Sequence, residues 1–420
     1  MLNGLLLLLA TTSNPSFPTT QRITADYPWI APYVGSRRSD VDSSSLIGKV
    51  LCGYQGWFRT PGDPVGHGWF HWSKDRNSLS PKTLNVELWP DMDEYPEKVL
   101  YPAGDFKYAN GTQAKLFSSA YPEVVDLHFR WMKQYGIDGV FVQRFLGGLD
   151  GGERSAQEAR VLGYARAAAN RTGRTFAVEY DMSGTPPDRA IDEMKKDWRY
   201  LVDTMHITDD PRYLRHNGKP VLEIFGFFTD RFSGKDANAI IDAFDTKDKY
   251  AVTLVGAGQW WWQREKDPEW HRAFRRFAAY SPWDVGNTRR EGDLVTAPFA
   301  RWPEDIAELK KAGKLFFPVI YPGFSWDNLT RKAPGSTIIP RRKGDFFREQ
   351  FKAAGDLGVG QAFIAMFDEV DEGTAIFKVS NTQPAGAHFV GLEGLPSDTY
   401  LKLAGEGTKL IHETAKKKHD

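Results

Sequence analysis

Residues 363–377 read Phe-Ile-Ala-Met-Phe-Asp-Glu-Val-Asp-Glu-Gly-Thr-Ala-Ile-Phe, an apolar run that stops abruptly at Asp368, Glu369, Asp371 and Glu372. A short apolar run closed by glycine reads as a strand buried on both faces, as parallel sheets require. Four acids behind it are costly to bury together. In open and closed parallel α/β sheets the chemistry sits beyond the carboxyl ends of the strands. Glu369 and Glu372 are therefore the first candidates for catalysis.

Runs of the same kind recur upstream. Eight segments carry β-branched or aromatic residues: Val50 to Trp57, Gly139 to Arg144, Thr175 to Asp181, Pro220 to Phe225, Ala251 to Val255, Ala279 to Val285, Leu315 to Tyr321 and Ala362 to Phe367. Helical patterns fall between them. Pro122 to Tyr135 places Val125, Phe129 and Met132 on one face and stops at Gly136. Glu153 to Asn170, Asp188 to Met205, Asp236 to Phe244, Glu269 to Phe277, Pro303 to Lys311 and Gly344 to Ala354 continue the alternation, and Ser397 reads as the N-cap of a last helix. Strand alternating with helix eight times predicts an α/β fold, a single (β/α)8 TIM barrel with a long loop, Arg59 to Tyr121, after the first strand. The competing arrangement is a doubly wound open sheet with a small extra domain. No Gly-x-Gly-x-x-Gly follows the first strand, and the run Gly147 to Gly152 lacks the Lys-Ser/Thr of a phosphate loop, so that run reads as a flexible loop at the site.

The expected organisation is a signal peptide over residues 1–20, an extension over 21–46, the barrel over 47–415 and a basic tail over 416–420. The apolar stretch Leu5 to Ala10 carries the export reading, secreted or periplasmic, although no basic segment precedes it. Sequons at Asn110, Asn170 and Asn328 would matter only in a glycosylating host. Lys+Arg and Asp+Glu both number 54, so no global field draws in nucleic acid. No other run is long and apolar enough to span a membrane. Cys52 is the single cysteine, which rules out an internal disulfide and a cysteine-based zinc site. His67 and His71 lie in a Pro- and Gly-rich loop without the His-Glu-x-x-His arrangement, so no metal and no cofactor are expected.

In a barrel the strand ends converge on one mouth. Here they bring Tyr54 and Trp57, Gln143 and Arg144, Glu179 and Asp181, Glu223, Gln259 and Trp260, Trp283 and Asp284, Tyr321 and Trp326, and finally Glu369 and Glu372. Acids and amides among flat aromatic faces suit an oligosaccharide or polysaccharide. Glycoside cleavage needs one carboxylic acid to protonate the departing oxygen and a second carboxylate to manage the reacting centre. Two glutamates three residues apart on a tight turn can share a cavity, where repulsion raises the pKa of one toward that of a general acid. Glu179 and Asp181 lie on one side of their strand, available either for sugar contact or for an ion pair with Arg144.

Phe367-Asp368-Glu369-Val370-Asp371-Glu372-Gly373-Thr374 resembles the Asn-Glu-Trp-x-Glu-Gly-Thr signature of glycoside hydrolase family 99 and its family 71 relatives, and Gly53-Tyr54-Gln55-Gly56-Trp57-Phe58 resembles that group's first strand. The resemblance implies a (β/α)8 barrel and a retaining, endo-type hydrolase of an α-linked glycan, α-mannan in family 99 and α-1,3-glucan in family 71. It implies that Glu372 is the general acid/base. It implies that Glu369 deprotonates the substrate's own 2-hydroxyl, which attacks the anomeric carbon to give a 1,2-anhydro sugar. Val370 stands where the signature has Trp, and Asp368 where it has Asn. Two other outcomes fit the same residues: a carbohydrate-binding protein on a degenerate barrel, or a glycan-processing transferase.

Overall fold

The structure is a computed structural model that describes residues 26–417. The expected signal peptide, the start of the extension and the last tail residues lie outside the described residues. Eight parallel strands form the central sheet: β1 Lys49–Tyr54, β2 Gly139–Phe145, β3 Thr175–Asp181, β4 Lys219–Phe227, β5 Thr253–Gln259, β6 Ala279–Trp283, β7 as the two pieces Leu315–Phe316 and Val319–Ile320, and β8 Gln361–Ile364. The first piece of β7 pairs with β6 and the second with β8, while β8 pairs with β1. The two ends of the sheet are thus halves of one strand, and the sheet closes into a (β/α)8 barrel.

Each strand is followed by a helix: α1 Pro122–Tyr135, α2 Arg160–Thr172, α3 Pro187–Asp203, α4 Gly234–Asp242, α5 Pro268–Phe274, α6 Trp302–Lys311, α7 Asp345–Asp356 and α8 Thr399–Lys416. α1 matches its predicted span, and Gly136 takes φ 81° to end it, a conformation that favours glycine. The segment expected as one helix over Glu153 to Asn170 is broken at Ala159 into Glu153–Glu158 and α2. The last helix is entered from Asp398 instead of Ser397, and the Asp398 carboxylate accepts from Tyr135 and pairs with Lys402.

Side-chain parity follows from contacts across the barrel. Phe141 of β2, Phe317 between the pieces of β7, and Phe363 of β8 meet with ring centroids 5.9–6.1 Å apart, although β2 neighbours neither of the other two strands. These positions face the barrel axis, and so do Gln143, Glu179 and Glu223, which are mutually in register. The intervening positions face the helices. The long segment after β1 is partly structured, with an antiparallel hairpin of Leu100–Lys107 and Gln113–Phe117. Among the described residues, no helix is long and apolar enough to cross a membrane.

Candidate active site

The turn after β8 is fixed by distant partners. Thr374 and Ala375 donate their amides to the Glu369 carbonyl, Ser325 donates its amide to the Glu372 carbonyl, and Glu87 donates its amide to Val370. Arg341 Nη2 closes the turn on the carbonyls of Gly373 and Ala375, both at 2.8 Å. Gly373 takes φ 65°, and a Cβ there would stand 3.0 Å from the Ser325 amide. This lattice holds four acids in one small volume, which the sequence could present only as a row.

Each acid meets different company. Asp368 is fully buried and accepts the amides of Gln55 at 2.9 Å and Gly56 at 2.8 Å, tying β8 to the end of β1. Burial nevertheless pushes its pKa to about 7. Glu369 is buried and accepts from Gln55 Nε2 at 3.2 Å and from Thr374 Oγ1 at 3.3 Å. Burial, then the charges of Glu372, Asp371 and Asp368, push it well above the ordinary glutamate range. Glu372 is half-buried, and burial and Asp371 raise it to about 8, opposed by a hydrogen bond from the Trp326 side chain. Asp371 Oδ2 lies 2.9 Å from His71 Nδ1, and the His71 ring stacks on Trp57 at 3.6 Å and 9°. Asp181 at the end of β3 is close enough to act on Glu372, and Gln143 Nε2 donates to it at 3.3 Å.

Among the strand-end residues expected at the mouth, the structure gathers Trp57, Gln143, Asp181, Gln259, Trp260, Trp283 and Trp326 around these acids or on the rim. Trp283 packs on Phe225 and Phe363, Arg301 lies over the Trp260 ring, and Gln259 faces inward from the end of β5. Three expectations are corrected. Tyr54 faces the helices, fully buried, its hydroxyl 2.8 Å from His128 Nδ1 of α1. Tyr321 is also fully buried, its ring against Phe346 of α7 and its hydroxyl donated to the Asn287 carbonyl. Arg144 turns outward and grips Asp197 of α3, with Nε 2.8 Å from Oδ2 and Nη2 2.5 Å from Oδ1, so it forms no ion pair with Glu179 or Asp181. Tyr54 and Arg144 sit at positions that alternate away from the axis, whereas Tyr321 follows the last paired residue of β7 and is drawn against α7.

Glu179 and Glu223 do face the axis but are sealed beneath the mouth. Both are fully buried, and none of their four carboxylate oxygens has a hydrogen-bond partner in the protein. Burial raises both pKa values well above the ordinary range, and for Glu179 the Glu223 charge adds to the shift. The glycine run is anchored: the amides of Gly147 and Gly148 donate to Glu193 of α3 at 2.9 and 3.0 Å. The Asn170 side chain is buried and committed to Asp210, so only Asn110 of the three sequons is exposed.

Sequence reasoning passed over Gln55, His71 as the partner of Asp371, and two exposed aromatics, Phe145 and Trp261. Phe145 tilts over Trp57 with centroids 5.0 Å apart. The available signal was parity, since Phe145 is the inward neighbour of the outward Arg144. Beside the mouth, lined in part by Gln55, Trp57, His71, Gln143 and Phe145, opens a cleft of about 810 Å³.

The fold and the acid cluster at the carboxyl ends of the strands place the chain among (β/α)8 barrel proteins with a mouth-centred site. Its fold is similar to that of the GH99 endo-alpha-mannosidase from Bacteroides thetaiotaomicron in complex with bis-tris-propane, with a TM-score of 0.65 and 18% sequence identity over 89% of this chain and 99% of that one. A second structure of the GH99 endo-alpha-mannosidase from the same organism gives a TM-score of 0.64 and 18% identity over 88% and 99%. The resemblance read from the two sequence motifs thus has a counterpart in three dimensions, as a likeness of fold. No family model and no curated protein matches the sequence.

Proposed function

We propose that the chain is a retaining glycoside hydrolase acting on an α-linked glycan, with Glu372 as general acid/base and Glu369 as the base toward the substrate's 2-hydroxyl. The observation that carries this reading is the pairing of a half-buried glutamate raised to about 8 with a buried glutamate beside it, at the mouth of a barrel. A general acid must hold its proton at working pH, and Glu372 does so below about 8. A base must be able to lose its proton. Burial raises Glu369 too; Gln55 Nε2 and Thr374 Oγ1 donate to it and oppose that shift, and a protonated Glu372 removes the largest of the charges that repel its carboxylate.

The exposed faces of Phe145, Trp261 and Trp326 offer stacking surfaces for successive sugar rings. Fully buried Val370 offers none, so a substrate must take its platforms from these rim residues. Such a rim suits internal positions of an oligosaccharide or polysaccharide. The fold likeness to a GH99 endo-alpha-mannosidase supports an α-mannan-type or related substrate.

The test is to incubate purified protein and Glu372→Gln with α-mannans, α-glucans and mixed plant or microbial polysaccharides and to separate released sugars by chromatography. Proton NMR of the first product gives its anomeric configuration. Release by the unsubstituted chain alone, with retained configuration, is expected. Equal release by Glu372→Gln would remove the acid/base assignment, binding of glycan without release from either would favour a carbohydrate-binding barrel, and products longer than the substrate would reveal transfer.

A further inference from the structure

We propose that the cleft beside the barrel mouth is a subsite for an anionic substituent, a carboxylate or a sulfate carried on the glycan next to the sugar that reacts. The inference rests on the glycan reading of the mouth, because the two spaces share Gln55, Trp57, Gln143 and Phe145.

Five guanidinium groups line this cleft, Arg59, Arg76, Arg144, Arg154 and Arg160, against the single acid Glu158. Arg144 and Arg154 are ion-paired, with Asp197 and Glu158, and among the described residues Arg59, Arg76 and Arg160 have no acid in salt-bridge contact. Arg59 Nη1 donates only to the carbonyls of Gly56 and Phe58, and its Nε is buried with no partner. Of the two acids whose charge acts on it, Asp63 is occupied by the amides of Thr60, Val65 and Gly66 and by the Ser118 hydroxyl, and the other is Glu158. Arg144 is 3% exposed; Asp197 takes its Nε and Nη2, and its buried Nη1 has no partner. Arg76 lies over Phe70 at 4.7 Å and Arg160 over Trp29 at 3.8 Å, so aromatic faces hold both; Arg160 Nη1 also donates to the Tyr164 hydroxyl at 3.3 Å, and the other N–H groups of its edge are not engaged by an acid. The one acid in the lining, Glu158, is paired with Arg154 at 3.0 Å.

A guanidinium presents planar donors that match the paired oxygens of a carboxylate or sulfate. Gathering five in a recess lined by one carboxylate sets up a positive field that a neutral sugar would leave unanswered. An acidic substituent answers it and sets the register of the chain relative to Glu369 and Glu372. A glycan that is neutral throughout fits the acid-lined mouth but leaves the arginine wall unpaired.

The experiment uses the full chain carrying Glu372→Gln, so that binding is read without turnover. Calorimetry compares sulfated α-mannan oligosaccharides with their desulfated counterparts, and oligogalacturonate with its carboxyl-reduced form. At least one charged probe is expected to bind about 10-fold or more tighter than its neutral partner, and Arg76→Ala or Arg160→Ala to remove about that factor. Should either arginine variant fail to fold, the intact arginine wall titrated with NaCl reads the same quantity, since affinity for the charged probe must fall as salt rises. Charged and neutral probes binding equally, no binding of any charged probe, or affinity indifferent to salt overturns the subsite. Hydrolysis of neutral glycans as fast as charged ones by the unsubstituted chain would sink the subsite and leave the hydrolase reading standing. Charged-probe binding without hydrolysis of any glycan would do the reverse.

Discussion

The acid-lined mouth and the arginine-lined cleft lie side by side, yet the fold treats their charges in opposite ways. At the mouth, Asp368, Glu369, Asp371 and Glu372 are crowded together, and among the described residues no Lys or Arg is in salt-bridge contact with them and His71 is the one basic side chain that pairs with any of them. Burial, with repulsion from neighbouring acids, raises Asp368 to about 7 and Glu372 to about 8. In the cleft, the guanidinium groups stay charged, supported by carbonyls, aromatic faces and the buried Asp197. A carboxyl group escapes the cost of burial by taking up a proton, whereas a guanidinium keeps its charge and must be given partners. The mouth is thereby suited to moving protons and the cleft to holding a fixed positive field.

The largest effect that tests this contrast is on turnover. Glu372→Gln is expected to lower kcat by about 10²–10⁴-fold while the protein still melts as a folded chain. An unaltered rate would show that the raised glutamate is not the proton donor. The next concerns the other side of the comparison: Asp197→Ala leaves the buried Arg144 guanidinium without its partner and is expected to cost about 3–5 kcal/mol in denaturant unfolding. A cost under about 1 kcal/mol would mean that the wall does not depend on that pair.

A third test probes the carboxyls that rely on protonation. Glu87 and Asp305 sit at about 7, like Asp368, and Glu372 at about 8, each above its unfolded value. Groups raised in the folded state contribute stability that is present below their unfolded pKa near 4 and is lost as pH rises through 7–8. The melting temperature is therefore expected to fall between pH 5 and 8. Glu179→Gln or Glu223→Gln should lessen that fall and stabilise the protein at pH 8 by about 1–3 kcal/mol. A melting temperature that rises over this range would contradict the sign. The smallest effect is a shift in a profile. Trp326 lowers the Glu372 pKa through its hydrogen bond, so Trp326→Phe should move the alkaline limb of kcat/KM to higher pH. An unmoved limb would mean that the limb belongs to another group.

Alternation of eight apolar runs with eight amphipathic ones was enough to predict the barrel over the open sheet, because few arrangements bury both kinds of surface. The sequence by itself also located the acid cluster, because four carboxylates directly after a strand are legible as a local pattern. A period of two tells which residues share a side of a strand but not which side meets the axis. Tyr54 and Arg144 therefore read as mouth residues, and Phe145 was missed. Closure of the sheet decided that question, through rings such as Phe141, Phe317 and Phe363 that meet across the interior. Tertiary structure alone also brought His71 to Asp371 across 300 residues and Arg144 to Asp197 across 53. Electrostatic partners are chosen by distance in space, and pKa values follow from burial and those partners, neither of which a linear pattern contains.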